Sequence, residues 1–332
     1  MNAPAPIGVQ AAEGEAPDLV RHAMLRHANI VLVDWMLGNA CNYACSYCPD
    51  ALHDGSIRWQ KPDDIRSMFR SLKRHYADGM GREVWLQFTG GEPTMHPQIV
   101  PLLDEAADLG LSVSLISNAG RTRRFWERII DRLDNVILTY HHEFAEHEHF
   151  IDVAARLADA MPVHVNVTVH PDRFDAIVAR AKEIAAIIPT ASISLKPLRV
   201  GFGDELYDYS DDQLRRLEQR LTHPVRRDAR IPRSVMAFET GTGKTETRRA
   251  NEFIMTKTNR WKGYVCEAGL ESLRVHGNGA ITRAVCAVGG RIGQLGEPLD
   301  LPVSPILCDR TSCNCVADIL ITKRRLKAPC SA

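Results

Sequence analysis

The chain has 332 residues, enough for about two domains, and 45% of them are hydrophobic, ample to bury a core. Its 41 Lys and Arg balance its 41 Asp and Glu, so whole-molecule charge gives no argument for a nucleic acid or an acidic membrane as partner. No apolar run approaches the roughly eighteen residues that a membrane span needs.

The first 24 residues, rich in Ala, Pro, Gly and Glu, lack the basic start and apolar centre of a signal peptide and are expected to form a disordered leader. Nine cysteines without such a signal point to metal ligation in a reducing compartment, hence a cytoplasmic protein. From residue 25 to 221 short β-rich runs alternate with helical periodicity. Strands are expected at 30–35, 83–88, 111–117, 135–140, 163–169 and 192–198. Between them, Ile65, Met68, Phe69 and Leu72 share one helical face, as do Phe174, Ile177, Ala181 and Ile184. Pro62 suits a first helical turn, Gly110 a helix stop, and Ser210 with Gln213 a capping box. Six βα units predict an α/β fold, a partial (β/α)6 TIM-like barrel. Chemistry would then gather at the C-terminal strand ends.

Residues 222–262 lose this rhythm, turn polar and basic, and read as a linker or insertion; most such runs are solvated faces. Gly241 to Thr245 imitates a phosphate loop, but Phe238 stands where its first glycine belongs and no strand precedes it. Residues 263–332 read as a small Cys-rich α+β extension. Cys266 and Cys286 bracket an expected hairpin turning at His276 to Gly279, with Cys308, Cys313 and Cys315 beyond it. Cys330, near the end, reads as a free thiol.

Two motifs carry the chemistry. Cys41, Cys45 and Cys48 follow the first strand, and three thiolates leave one position of a four-ligand metal site open. Gly90, Gly91, Glu92 and Pro93 follow the second; paired glycines permit close backbone approach to a ligand, and the Glu can accept bonds from an ammonium group. The strand-end residues Ser117, Asn118, Thr139, His141, His142 and His170 would converge with them. Each histidine is a candidate general base or substrate ligand, against the blander reading of a hydrogen-bonded neighbour.

This combination resembles the radical S-adenosylmethionine (radical SAM) superfamily. The resemblance implies a [4Fe-4S] cluster on Cys41, Cys45 and Cys48, with SAM on the open iron. It further implies adenine contact at Tyr47, a SAM amino site at Gly90 to Pro93, and SAM polar contacts at Ser117, Asn118 and Thr139. The chemistry implied is hydrogen abstraction by a 5′-deoxyadenosyl radical, fed by a donor such as flavodoxin or ferredoxin. The C-terminal cysteines partly resemble SPASM and twitch extensions. Five thiolates, Cys266, Cys286, Cys308, Cys313 and Cys315, match one auxiliary [4Fe-4S] cluster rather than two, and a structural zinc is the alternative. The extension implies a peptide or protein side chain as substrate. A small molecule or nucleotide is the second reading, and a non-enzymatic metal scaffold, which would leave Gly90 to Pro93 unexplained, the third.

Overall fold

The structure, a computed structural model, describes residues 17–203, 205–217, 220–222, 230–240, 243 and 245–326. In chain order its main elements are β1 (Leu19–His22), β2 (Ile30–Met36), α1 (Pro62–Leu72), β3 (Glu83–Thr89), α2 (Ile99–Asp108), β4 (Ser112–Ser117), α3 (Arg123–Ile129) and β5 (Asn135–Tyr140). There follow α4 (His147–Ala160), β6 (Val163–Val169), α5 (Phe174–Ile187), β7 (Ser192–Pro197), α6 (Asp211–Leu217), β8 (Arg220–Thr222), β9 (Met236–Glu239), β10 (Thr245–Arg248) and α7 (Ala250–Met255). The C-terminal elements are β11 (Tyr264–Cys266), β12 (Ser272–Val275), β13 (Ala280–Thr282), β14 (Arg291–Gln294), β15 (Ile306–Leu307), α8 (Val316–Ile319) and β16 (Lys323–Arg325).

The six expected βα units are present, and β2 to β7 pair in sequence order, all parallel. Alternation decides which face of each strand is which. Val31, Val33, Trp35, Leu86, Phe88, Leu115, Leu138, Val165, Val167, Ile193 and Leu195 pack outward against the helices in one core. Side chains of opposite parity, including Asp34, Gln87, Thr139, Asn166, Ser194 and Lys196, line the interior, and most of them are polar. Local signals behave as the sequence dictates. Pro62 opens α1, Gly110 follows α2 with φ +71, and Ser210 and Gln213 exchange backbone-to-side-chain bonds ahead of α6.

Three boundaries differ from the sequence reading. The leader expected over residues 1–24 gives way by Leu19, where β1 pairs with β9 and β16 and buries Val20 completely; residues 1–16 lie outside the described set. The stretch 222–262 is not simply a linker. Its β9, β10 and α7 join β1, β11, β15 and β16 in a six-stranded sheet with its own core around Phe238, Phe253 and Trp261. Gly243 sits in the β9–β10 turn, whereas Gly241, Thr242 and Lys244 lie outside the described residues. Arg233 is drawn inward, donating to carbonyls of His27 and Ile30, and Arg230 ties down to Glu83 and Asp134 beneath the barrel.

The third difference matters most for the site. The hairpin between Cys266 and Cys286 is β12–β13, but β12 also pairs in parallel with β2, so the extension continues the barrel sheet to ten strands, in the order β14-β13-β12-β2-β3-β4-β5-β6-β7-β8. Arg274 stands opposite Asp34 in register and pairs with it at 2.8 Å. Gln60 accepts from the Trp35 indole and donates to the carbonyls of Met36, His276 and Gly277. The barrel does not close into a ring of strands. On its far side Arg199, just past β7, donates to the carbonyl of Asn314, between Cys313 and Cys315.

Candidate functional site

The cysteine loop springs from β2 and is fixed from its stem outward. Asn39 is wholly buried; its amide donates to Ala51, Asp54 and Ser56 and its carbonyl accepts from Ile57. That network folds the loop back on itself. Here the paired glycines have a structural use beside the ligand approach expected from sequence. Gly91 donates to Gly38 and Glu92 to Ala40, and a Cβ at Gly90 or Gly91 would stand 2.2 Å from the Gly38 or Ala40 oxygen. Gly90 also holds φ +129, open to glycine and strained for other residues. The motif is first a seam between two strand ends.

Glu92 lies in that seam, 1% exposed. Its carboxylate accepts from the Thr94 amide at 3.0 Å, the Thr94 hydroxyl at 2.6 Å, Ser117 at 2.9 Å and the Asn118 amide at 2.8 Å. Burial pushes its pKa up, and these bonds pull the other way. Among the described residues no cationic side chain pairs with it. A buried carboxylate without a counter-charge is costly, and an ammonium group is what this position fits. Ser117 and the Asn118 backbone are thus placed on Glu92, and the Asn118 side-chain Nδ2 reaches the Cys41 sulfur at 3.7 Å.

Burial raises the thiols of all three loop cysteines, those of Cys45 and Cys48 to about 11. They are protonated at neutral pH until a metal displaces the proton. The loop is anchored across the barrel mouth. Tyr47 is buried, with its hydroxyl against His141 Nδ1 at 2.9 Å and Thr168 at 3.1 Å, and its ring lies nearly parallel to both His141 and His142. Glu143 accepts from the Ser46 amide at 2.7 Å and its hydroxyl at 2.5 Å. Sequence reasoning passed over Asn39 and Glu143; only the place of Glu143, directly after the strand-end histidines, hinted at the latter.

The histidines divide in role. Burial, then Lys196 and His142, lowers His141 to about 4, so it is a neutral partner of Tyr47 at pH 7. His142 is lowered as well, and its Nδ1 is buried without a partner. His170 accepts from the Asp172 amide, capping the turn after β6. His147, at the start of α4, packs on Tyr140 and pairs with Glu183. Thr139 faces the barrel interior from β5.

At the other edge, Cys266, Cys286 and Cys308 share one apolar nest, and Cys313 packs with Trp261 and Ile319 beside it. Asp318 accepts from the Val285 and Cys286 amides. Burial raises Cys286 and Cys315 to about 12 and Cys313 well above its usual value. Cys315 shares the Asp318 carboxylate with Cys266, Cys286 and Cys313, and Asp34 on β2 and Lys196 on β7 also lie within electrostatic range of it. Cys330 lies outside the described residues.

A barrel of parallel strands with a three-cysteine loop after the first and a Gly-Gly-Glu seam after the second defines a recognisable class. Residues 35–144 match the radical SAM superfamily, and the chain carries a radical SAM domain. An S-adenosylmethionine-dependent nucleotide dehydratase from Fibrobacter sp. (strain UWH6) is 26% identical over 90 residues, which span 26% of this chain and 27% of that relative. Among solved structures, anSMEcpe with bound AdoMet aligns with a TM-score of 0.50 at 13% identity, over 81% of this chain and 79% of that one. Streptococcus suis SuiB bound to precursor peptide SuiA aligns with a TM-score of 0.48 at 14% identity, over 83% of this chain and 64% of SuiB. At 13% identity the likeness to anSMEcpe is one of fold alone. No helix among the described residues is long and apolar enough to cross a membrane.

Proposed function

We propose that this chain is a radical SAM enzyme in which Cys41, Cys45 and Cys48 hold a [4Fe-4S] cluster and Glu92 receives the amino group of SAM. The observation that carries the reading is the buried Glu92 carboxylate, held by four donors and lacking a cation, in the seam that also fixes the cysteine loop. When bound, cluster and SAM supply a hydrogen-abstracting carbon radical, with electrons from a donor such as flavodoxin or ferredoxin. The protein orients them. Tyr47, Glu143 and Asn39 fix the cysteine loop, Thr139 and the other interior polar groups bind, and the C-terminal extension shields the interior from water.

The second cysteine group is assigned one auxiliary cluster, with Cys266, Cys286, Cys308 and Cys313 as ligands and Cys315 as the fifth, dispensable cysteine. Five candidate thiolates match the four ligands of one cluster, against about eight for two, and a structural zinc is the alternative. For substrate, the cysteine-rich extension favours a peptide or protein side chain. The second reading, a small molecule or nucleotide bearing an anionic group, is supported by Lys196, a solvent-exposed lysine near the C-terminal end of β7 on the strand face that lines the barrel. A cytoplasmic location follows from the thiol chemistry. Anaerobic reconstitution tests the assignment of metals: about eight irons per chain in the wild type and about four in C41A/C45A/C48A. Stoichiometric zinc with no iron in that variant would overturn the auxiliary assignment.

A further inference from the structure

Lys323 is among the largest fully enclosed side chains of the protein, at 2% exposure. An ammonium has three N–H donors, and all three are met by backbone: the carbonyls of Asp318 at 2.7 Å, Ile319 at 3.2 Å and Ile321 at 2.7 Å. Its nitrogen stands 4.5 Å from the centre of the Trp261 ring. Among the described residues no carboxylate oxygen pairs with it. Asp318, the nearest acidic neighbour in sequence, gives Lys323 its backbone carbonyl, while its carboxylate turns to the amides of Val285 and Cys286.

Two cysteines, Cys266 and Cys313, lie within electrostatic range of this charge. On the paired strands β11 and β16, Lys323 is the residue directly opposite Cys266. The Trp261 ring that receives the ammonium packs in the same cluster as Cys313. With the thiols protonated, the ammonium is offset by its three carbonyls, the Trp261 ring and the nearby Asp318 carboxylate, a costly arrangement for a buried charge. Thiolates bound to a metal centre remove the difficulty, because ligation deprotonates them outright and the centre they form is anionic.

We propose that Lys323 is the built-in counter-charge of an anionic iron–sulfur cluster on Cys266, Cys286, Cys308 and Cys313, and that it raises the reduction potential of that cluster. The proposal rests on the auxiliary-cluster reading above. Its physical content is electrostatic: reduction adds one negative charge to the cluster, and a fixed ammonium in a dry site favours the more negative state. Lys323 ligates nothing and touches no substrate; it is a positioning residue acting through the cluster.

The test uses the full-length chain, reconstituted anaerobically and titrated under EPR, with the signal that SAM perturbs assigned to the first cluster and the unperturbed one to the second. K323Q keeps a hydrogen-bond donor and removes the charge, and it should move the second signal to a more negative midpoint while leaving the first where it was. K323R should hold both near wild type. An unchanged second midpoint in an iron-loaded K323Q would overturn the proposal. If K323Q does not fold, D318N decides, since removing a negative charge beside Cys286 should shift the same signal positively, and an unmoved signal sinks the electrostatic account. A wild-type chain that takes stoichiometric zinc at these cysteines, with no second signal, would overturn the cluster assignment itself and show that the fault lies there rather than with Lys323.

Discussion

Glu92 has two tasks at once, and a conservative change separates them. Its carboxylate organises Thr94, Ser117 and Asn118, and its charge awaits an ammonium. Glu92→Gln removes the charge and, with its carbonyl at the Oε1 position, keeps the bonds from Thr94 and Ser117 while losing the one from the Asn118 backbone N–H. It should retain the iron of the first cluster yet weaken SAM binding by roughly 1.5 to 3 kcal/mol, the scale of a charge-assisted hydrogen bond. Equilibrium dialysis with labelled SAM reads this directly, and equal affinities in wild type and variant would refute the role. The sequence exposed Glu92 because Gly-Gly-Glu follows a strand. It hid Glu143, whose bonds to Ser46 join residues 97 apart in the chain, a pairing that no local pattern encodes.

The elements β2 and β3 meet through Gly90 and Gly91, and there the space is already full. A methyl group on Gly91 would fall 2.2 Å from the Ala40 oxygen and 2.5 Å from the Asn39 oxygen, so backbone itself must move. Gly91→Ala should destabilise the fold by about 2 kcal/mol and reduce cluster loading at the first site, because it displaces the stem of the cysteine loop. Thermal melting of the apo chain with iron analysis of the reconstituted one checks both halves; an undisturbed Tm would contradict the packing argument. At this scale the sequence told most about β2 to β7, whose apolar runs and turn residues are local. It told little about β12, because a strand's hydrophobicity does not name its partner, and Ser272 meets Leu32 across 240 positions of chain. The same holds for β1, a four-residue strand whose ladder partners are the distant β9 and β16.

The whole molecule is an open barrel whose C-terminal extension grows from its own sheet edge, so the two cysteine groups are parts of one scaffold. Its acid stability should reveal the buried imidazoles. His27 and His141 are both lowered to about 4, chiefly by burial, from an ordinary value of 6.5. Because the folded values are depressed, the unfolded chain takes up protons first. The stability these groups contribute is present above pH 6.5 and is lost as pH falls through about 4. The apo chain should therefore melt at progressively lower temperature between pH 6.5 and 4. A Tm that stays flat over that interval would show that these rings are not buried as described.

One measurement bears most directly on the assignment of radical SAM chemistry: reductive cleavage of SAM by the anaerobically reconstituted, dithionite-reduced chain, followed as 5′-deoxyadenosine, in the wild type and in C41A/C45A/C48A. If the three thiolates hold the cluster that faces SAM, the wild type forms 5′-deoxyadenosine and the triple variant forms none, even while it keeps the iron at its C-terminal cysteines. Cleavage that persists undiminished in the triple variant would contradict the account at its centre.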